Sequence, residues 1–353
     1  MFRHRNSILI AAALLVAAVI PPLSALASAN GQYILSGDSV AVFNLAGKIT
    51  VEGAGGSDVI VEVTLGGDDS AELSLESGTV DGRPAFRVIY PSDRIVYSEV
   101  SRGSRTTVRV RRDGTFGGSP LGSRRITIAG SGPGLEAHAD IVVKVPAGKK
   151  VAVYLAVGRI DAENIAGDFR LDTSSGPIRV DGLKGALLAD TGSGRVTVND
   201  AEGNVEIDTG SGRVNLAGIV GDELKVDTGS GRITGVDIDV RDILMDTGSG
   251  DISIEKVRGT DINLDTGSGR VEVDLLSDIR NLIIDTGSGG VTVHLPSELG
   301  ADIEIDVGSG GISVDVPIEY TRRSRSYVRG QIGDGNGRIY IDTGSGSVRI
   351  YHR

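Results

Sequence analysis

Short segments in the C-terminal half of the chain alternate between apolar and polar residues. In one of them Val205 and Ile207 alternate with Glu206 and Asp208, and a second such segment begins at Arg213. A period of two residues with β-branched apolar side chains is typical of strands that have one buried face. We therefore predict that the apolar side chains of these segments point into a core and the charged ones to solvent.

A five-residue sequence, Asp-Thr-Gly-Ser-Gly, separates the paired segments and recurs along the chain. Its copies begin at Asp190, Asp208, Asp227, Asp246, Asp265, Asp285 and Asp342, with near copies at Asp172 and Asp306. From the copy at 172 to the copy at 306 the steps are 18, 18, 19, 19, 19, 20 and 21 residues. Spacing this regular indicates structural repeats.

A single repeat is too small to fold alone. It buries about four apolar side chains, worth roughly 6 to 12 kcal/mol, whereas ordering about 19 backbone units costs on the order of 20 to 40 kcal/mol. Successive repeats must therefore stack and pair their strands in parallel. The sequence predicts an all-β protein, a parallel β-solenoid of the β-roll or β-helix type, with about nine coils of 18 to 21 residues.

The first 29 residues are organised like a secretory signal, with Arg3 and Arg5 before an apolar run from Ile8 to Ile20 and small residues before a cleavage site. We expect this signal peptide to be removed, because the apolar run is too short to span a bilayer as a helix. The mature protein is predicted to be exported to the periplasm or cell surface, without a transmembrane segment.

The mature chain is predicted to have two regions. Residues 30–150 form an irregular β-rich region that merges into the solenoid, and residues 151–353 form the solenoid, with an insertion at about 317–337. Cysteine is absent, so stability must come from burial and backbone pairing. Removing Arg3 and Arg5 changes the net charge from −11 to −13 (−11 minus 2), which argues against nucleic acid as a partner.

The repeated turn has a structural interpretation that accounts for each position. Asp is expected to accept hydrogen bonds from the turn's own N–H groups, glycine to adopt positive φ, and the hydroxyls to bond neighbouring backbone groups. Arg195, Arg213, Arg232 and Arg270 follow four of the turns, so a basic column is expected to run beside the acidic one and offset its repulsion.

The turn has two alternative roles. The motif resembles that of aspartic proteases, but their chemistry needs two facing carboxylates about 3 Å apart in a cleft, whereas the repeated turns are expected to stack in a column. Calcium is the remaining alternative, with Asp246 and Asp251 as the candidate ligands.

Two clusters of arginine interrupt the acidic background. The first comprises Arg102, Arg105, Arg109, Arg111 and Arg112, followed by Arg124 and Arg125, and the second Arg322, Arg323, Arg325 and Arg329. These clusters are candidate contacts for an anionic envelope surface; the alternative is solvated loops that pair with nearby acids.

Catalytic chemistry is poorly represented in the mature chain. Its histidines, His138, His294 and His352, lack metal-ligand spacing and a neighbouring nucleophile. We therefore predict no catalytic residues and no cofactor.

The repeated turn and two further stretches together resemble the DUF4097 family of bacterial proteins, which are often labelled adhesins. The two stretches are the opening from Phe43 to Val51, and Val145 to Gly148. The resemblance implies a β-strand repeat protein of the cell envelope, with some relatives linked to envelope-stress systems and no established activity.

These observations lead to three hypotheses of function. The first is a non-catalytic envelope protein whose repetitive β-surface serves adhesion or assembly, with a glycan, lipid headgroup or protein of the envelope as partner. The second is an envelope-stress sensor or scaffold that acts through one protein partner. The third, suggested by shape alone, is a polysaccharide-active enzyme.

Overall fold

The computed structural model describes residues 30–118 and 122–353, so the predicted signal peptide lies outside the described residues. Apart from one 3₁₀ turn at Ser70–Glu72, the regular structure of these residues consists of β-strands. The N-terminal strands are β1 (Asn30–Leu35), β2 (Ser39–Ala54), β3 (Val59–Gly66), β4 (Ser74–Val80), β5 (Arg83–Ile89), β6 (Arg94–Val96), β7 (Arg105–Arg111), β8 (Ser123–Ala129), β9 (Leu135–Glu136) and β10 (His138–Pro146).

The strands that follow carry the repeated turns. They are β11 (Lys149–Ser175), β12 (Ile178–Thr191), β13 (Val196–Glu202), β14 (Val205–Thr209), β15 (Val214–Thr228), β16 (Ile233–Thr247), β17 (Ile252–Arg258), β18 (Asp261–Thr266), β19 (Val271–Leu275), β20 (Asn281–Thr286), β21 (Val291–Leu295), β22 (Ala301–Val307) and β23 (Ile312–Asp315). The chain ends with β24 (Glu319–Arg323), β25 (Tyr327–Ile332), β26 (Gly337–Thr343) and β27 (Val348–His352).

The coils stack in parallel with their repeats in register, which confirms the predicted β-solenoid. Asp190 lies opposite Asp172 on one side and Asp208 on the other, and the same register holds through the following coils. Val205, Ile207, Val214 and Leu216, the inward residues of two such segments, are buried in one continuous core. Burial of this apolar face against neighbouring coils is what makes the repeat stable.

The N-terminal region joins this stack through backbone pairing. β2 runs parallel to β11 from Ser39 opposite Lys150 to Glu52 opposite Glu163, and β10 pairs with the second half of β2. Inside this first layer the Tyr90 hydroxyl donates to Asn44 Oδ1 at 2.9 Å, and Asn44 Nδ2 donates to the Ala139 carbonyl at 2.7 Å. The solenoid therefore begins with residues that precede the repeated turn.

In six successive coils a second corner is formed by one residue with positive φ. The aligned residues of six coils, with φ between 51° and 76°, are Asn164, Gly182, Asp200, Gly218, Asp237 and Lys256. This left-handed conformation is accessible to Gly and tolerated by Asn and Asp. It turns the chain from the strand after the Asp-Thr-Gly-Ser-Gly turn towards the strand before the next one.

The end of the stack differs from the expected succession of coils. β26 pairs with β20 on one side and with β22 on the other, so Asp342 lies between Asp285 and Asp306. β27 likewise lies between β21 and β23. The C-terminal coil is thus inserted between two coils that are consecutive in sequence. The antiparallel strands β24 and β25 reverse the chain beside β22 and return it to this position.

A smaller sheet lies beside the first coils. Its strand order is β7-β8-β6-β9, with β7 and β8 antiparallel and β7 at an edge. Val108, Val110, Ile126 and Ile128 are buried on its inner face. This sheet carries the first arginine cluster.

Candidate functional site

Threonine, the second residue of the turn, faces the interior and forms a ladder of hydrogen bonds. The Thr228 hydroxyl accepts from Gly231 N at 3.0 Å and donates to the Gly212 carbonyl at 3.3 Å in the preceding coil. Thr247, Thr266, Thr286 and Thr343 repeat both bonds. The turn amide is therefore bonded by Thr, and the expectation that Asp accepts it was wrong. Asp172 bonds instead to a side chain, since Arg170 donates to it at 3.0 Å.

The glycines of the turn are required by close approach of neighbouring coils. A Cβ on Gly212 would lie 1.6 Å from the Gly194 carbonyl oxygen, and one on Gly231 would lie 1.7 Å from the Gly212 carbonyl oxygen. Of the turn glycines in the described residues only Gly176, in the near copy at Asp172, has a positive φ, and the other positive-φ glycines lie outside the turns, for example at Gly182 and Gly218. The expectation of positive φ was therefore wrong for the other turns: backbone stacking selects glycine there.

The nine turn aspartates form one acidic column, most of them exposed. Burial raises the pKa of Asp265, and the Asp246 and Asp285 carboxylates raise it further. Burial likewise raises the pKa of Asp342, with contributions from Asp285 and Asp306, its neighbours on either side. Like charges on adjacent strands make the ionised form less favourable in the folded state.

We expect the acidic column to make the fold more stable as the pH falls from neutral towards the ordinary Asp pKa of about 3.9. A carboxyl whose pKa is raised by folding binds more protons in the native state, so protonation favours that state. Below this window Asp251 and Asp261, whose pKa values are lowered, lose their ion pairs and stability declines.

The Asp265→Asn variant should melt at a higher temperature at neutral pH and show a flatter dependence of Tm on pH. Thermal scans between about pH 4 and pH 7 measure both quantities. The exposed Asp239 has no neighbour in the acidic column, so Asp239→Asn is the control. A Tm of Asp265→Asn that follows the unsubstituted protein at every pH would contradict this interpretation.

The residue that directly follows each five-residue turn lies in a separate column, which is mainly basic. The carbonyls of Arg195, Arg213 and Arg232 accept from Ile178 N, Val196 N and Val214 N, each at 3.0 Å, and Asp251 and Arg270 continue the series. Within the described residues no ion pair joins these arginines to a turn aspartate, and Arg232 pairs with Asp251 instead. The expectation that the arginines offset the acidic column was therefore wrong. They line the other side of the turn.

Serine hydroxyls accompany this basic column, and we call the combined surface the Ser-Arg ridge. Its members are Ser193, Ser211, Ser230, Ser249, Arg195, Arg213, Arg232, Asp251 and Arg270. A shallow polar depression of about 380 Å³ lies on it, between Ser211 and Asp251. Four steps of about 4.8 Å between strands give the ridge a length of about 19 Å.

Asp251 occupies the basic column and is bound by its neighbours. It accepts a hydrogen bond from Arg270 N at 2.9 Å and pairs with the Arg232 guanidinium. The Arg270 amide bond, together with Arg232, holds the pKa of this carboxyl below its usual range. Asp246 belongs to the acidic column instead, so the two candidate calcium ligands lie in different columns. Within residues 30–118 and 122–353, no cluster of three or more His, Asp or Glu side chains is arranged to hold a metal ion.

A cleft of about 520 Å³ lies at the N-terminal end of the ridge. Its walls include Tyr97 and His138, whose ring centroids are 5.2 Å apart, together with the cations Lys48 and Arg159. Ser193 lines both the cleft and the ridge, so the two surfaces are continuous. Glu99 and Asp140 also line the cleft, which gives it hydrogen-bond acceptors as well as donors. The sequence alone does not reveal this site, because its residues come from six separate segments of the chain.

The first arginine cluster lies on and beside the small sheet. Arg105 and Arg109 point to solvent from the edge strand β7, and Arg109 is opposite Arg125 on β8. Arg102 and Arg112 are exposed in the flanking turns, and Arg111 donates to Thr115 Oγ1 at 3.3 Å. Arg124 pairs with Asp93 at 2.8 Å.

The second arginine cluster lies at the opposite end of the stack. Arg322 and Arg323 belong to the exposed edge strand β24 and stack on Tyr327 and Tyr320, with guanidinium-to-ring distances of 5.0 and 4.7 Å. Arg325 is exposed in the turn that follows. The structure therefore keeps the two clusters apart, at the two ends of the solenoid.

Fold and surface together define a type of scaffold, a β-solenoid with outward side chains in regular columns. Residues 123–351 match the family model described as Toastrack DUF4097, and the chain belongs to this family. A solved structure described as a putative cell adhesion protein from Clostridium sporogenes is 10% identical, with a TM-score of 0.21, and the match covers 92% of this chain and 99% of that one. Comparison with curated protein sequences gives no match. No helix among the described residues has the length and hydrophobicity needed to cross a membrane.

Proposed function

We propose that this protein is a non-catalytic, exported component of the cell envelope that binds an envelope polymer or surface through its repetitive β-surface. The observation that carries the proposal is the regular arrangement of outward side chains. In-register stacking repeats the same chemical group on coil after coil, as in the acidic column and the Ser-Arg ridge. Such a surface suits a ligand that repeats in the same way, since each unit adds a contact to an already tethered chain.

Export and localisation in the periplasm or at the cell surface are part of this proposal. They depend on the signal-like first 29 residues, and the absence of cysteine is compatible with either location. The basic surfaces give the protein local attraction for anionic ligands despite its net negative charge.

Co-sedimentation of the mature protein with isolated envelope fractions tests this function. We expect saturable binding that weakens as salt is raised from about 0.1 M to about 1 M, because the screening length falls from about 10 Å to about 3 Å. Absence of binding to every fraction at low salt would contradict the proposal. Binding that is indifferent to salt would exclude the charged columns as the contact surface.

A second candidate is a sensor or scaffold that acts through one protein partner. The edge strand β24 favours it, because all five of its residues are exposed and its outer side is unpaired within the described residues. An exposed edge can accept a strand from another protein. Crosslinking in cells would then recover one dominant protein, whereas the first candidate predicts recovery of envelope polymer.

A further inference from the structure

The Ser-Arg ridge has cations that the fold does not use. In the described part of the chain neither the Arg195 nor the Arg213 guanidinium lies within 4.0 Å of a carboxylate, and both side chains are exposed. The acidic column leaves them unpaired because it lies on the other side of the turn. Exposed, uncompensated arginines at regular spacing are suited to carboxylates or phosphates.

Asp251 shows how this ridge holds an anion. Its carboxylate receives one hydrogen bond from a backbone amide, Arg270 N, and one from a guanidinium, Arg232. One coil earlier the column holds Arg232, between the Asp251 amide of the next coil and the Arg213 guanidinium of the preceding coil. Two coils earlier it holds Arg213, between the Arg232 amide and the Arg195 guanidinium. The same pair of donors is therefore available there for a carboxylate that the protein itself does not provide.

The dimensions of the ridge favour an extended polymer over a single ion. Neighbouring positions are about 4.8 Å apart, a distance comparable with the length of one sugar unit in a linear polysaccharide. The ridge leads into the cleft, where the half-buried His138 ring packs on the buried Tyr97 and Glu99 and Asp140 offer acceptors for hydroxyl groups. Mixed aromatic and polar walls of this kind suit a sugar ring.

We propose that the Ser-Arg ridge and the cleft bind a linear carboxylated polysaccharide, one uronate carboxylate for each coil, with the end of the chain in the cleft. The proposal rests on the proposed function and names the class of its ligand. Serine hydroxyls from neighbouring turns donate to the carboxylate or to sugar oxygens. Binding fades beyond Arg270, where Gly290 and Gly311 replace the arginine.

The test is a calorimetric titration of the mature protein with oligogalacturonates of increasing length. We expect affinity to rise with length until the oligomer spans the ridge, at about five sugars. The double variant Arg195→Gln with Arg213→Gln should weaken binding of the longest oligomer by about tenfold or more, because two charge-assisted contacts are lost. Arg258→Gln with Arg349→Gln is the control, since it makes the same change in net charge at exposed positions away from the ridge.

A gain-of-affinity variant protects the test against misfolding. Asp251→Arg completes the basic column, and we expect it to tighten binding several-fold, whereas Asp239→Arg, with the same change in charge, should not. Equal affinities of the ridge variants and their controls would overturn the ridge as the site.

Two further outcomes separate this proposal from the proposed function. If envelope polymer binds equally well to the protein with and without Arg195 and Arg213, the assignment of the ridge as the binding site is wrong and the proposed function stands. If polyphosphate binds the ridge and oligogalacturonate does not, the assignment of a carboxylated ligand is wrong. If neither probe nor any envelope fraction binds, both proposals fail.

Discussion

Gly231→Ala is expected to destabilise the protein by roughly 3 kcal/mol or more. The added Cβ would lie 1.7 Å from the Gly212 carbonyl oxygen and 2.6 Å from its carbonyl carbon. Both atoms belong to the backbone of the adjacent coil, so relief requires the two turns to move apart and strands to lose pairing. Overpacking of this kind costs about 1 to 3 kcal/mol when side chains can adjust, and here the obstacle is backbone. Urea unfolding of the mature protein measures the loss.

The chain offers a matched control at the end of the stack. A Cβ on Gly311 would meet no atom within 4 Å, so Gly311→Ala should change the free energy of unfolding by less than about 0.5 kcal/mol. If Gly231→Ala proves as mild as Gly311→Ala, stacking contact is not the reason for glycine in the turn.

Thr247→Val should cost about 2 to 4 kcal/mol although it preserves the shape of the side chain. The substitution removes the acceptor for Gly250 N and the donor to the Gly231 carbonyl, both at 3.0 Å. Thr247 is fully buried. Each backbone group that is left unpaired away from water costs about 1 to 3 kcal/mol. Urea unfolding again gives the free energy.

The last coil of the stack supplies the comparison for this variant. Val307 stands there where the other turns have Thr, and the adjacent Gly310 is partly exposed while Gly250 is buried. Water can therefore bond the groups that a hydroxyl bonds elsewhere. Val307→Thr should change stability by less than about 1 kcal/mol. A cost for Thr247→Val no larger than that would contradict the structural role of the threonine ladder.

Period-two alternation around residues such as Val205 and Ile207 predicts the fold class because burial decides strand orientation locally. The order of the last coils could not be predicted in this way. The coil that contains Asp342 carries the same motif as its neighbours, so nothing local indicates that it pairs between Asp285 and Asp306. That placement depends on the antiparallel strands β24 and β25.

Prediction of the binding surfaces from sequence was less complete. Arg195 and Arg213 are conspicuous in the repeat, but their side of the turn depends on how the turn bends. Conversely, the exposed clusters around Arg105 and Arg322 are readily predicted, because runs of charge lie on surfaces. The cleft requires Lys48, Tyr97, His138 and Ser193 to meet, which only the three-dimensional pairing of distant strands can bring about.

Co-sedimentation combined with a measurement of polymer length asks whether this solenoid binds an envelope polymer without altering it. The mature protein is incubated with envelope polysaccharide, and the bound fraction and the size distribution of the polymer are determined together. We expect salt-sensitive binding with unchanged polymer length. A shortened polymer, or no bound polymer at low salt, would contradict the proposed function.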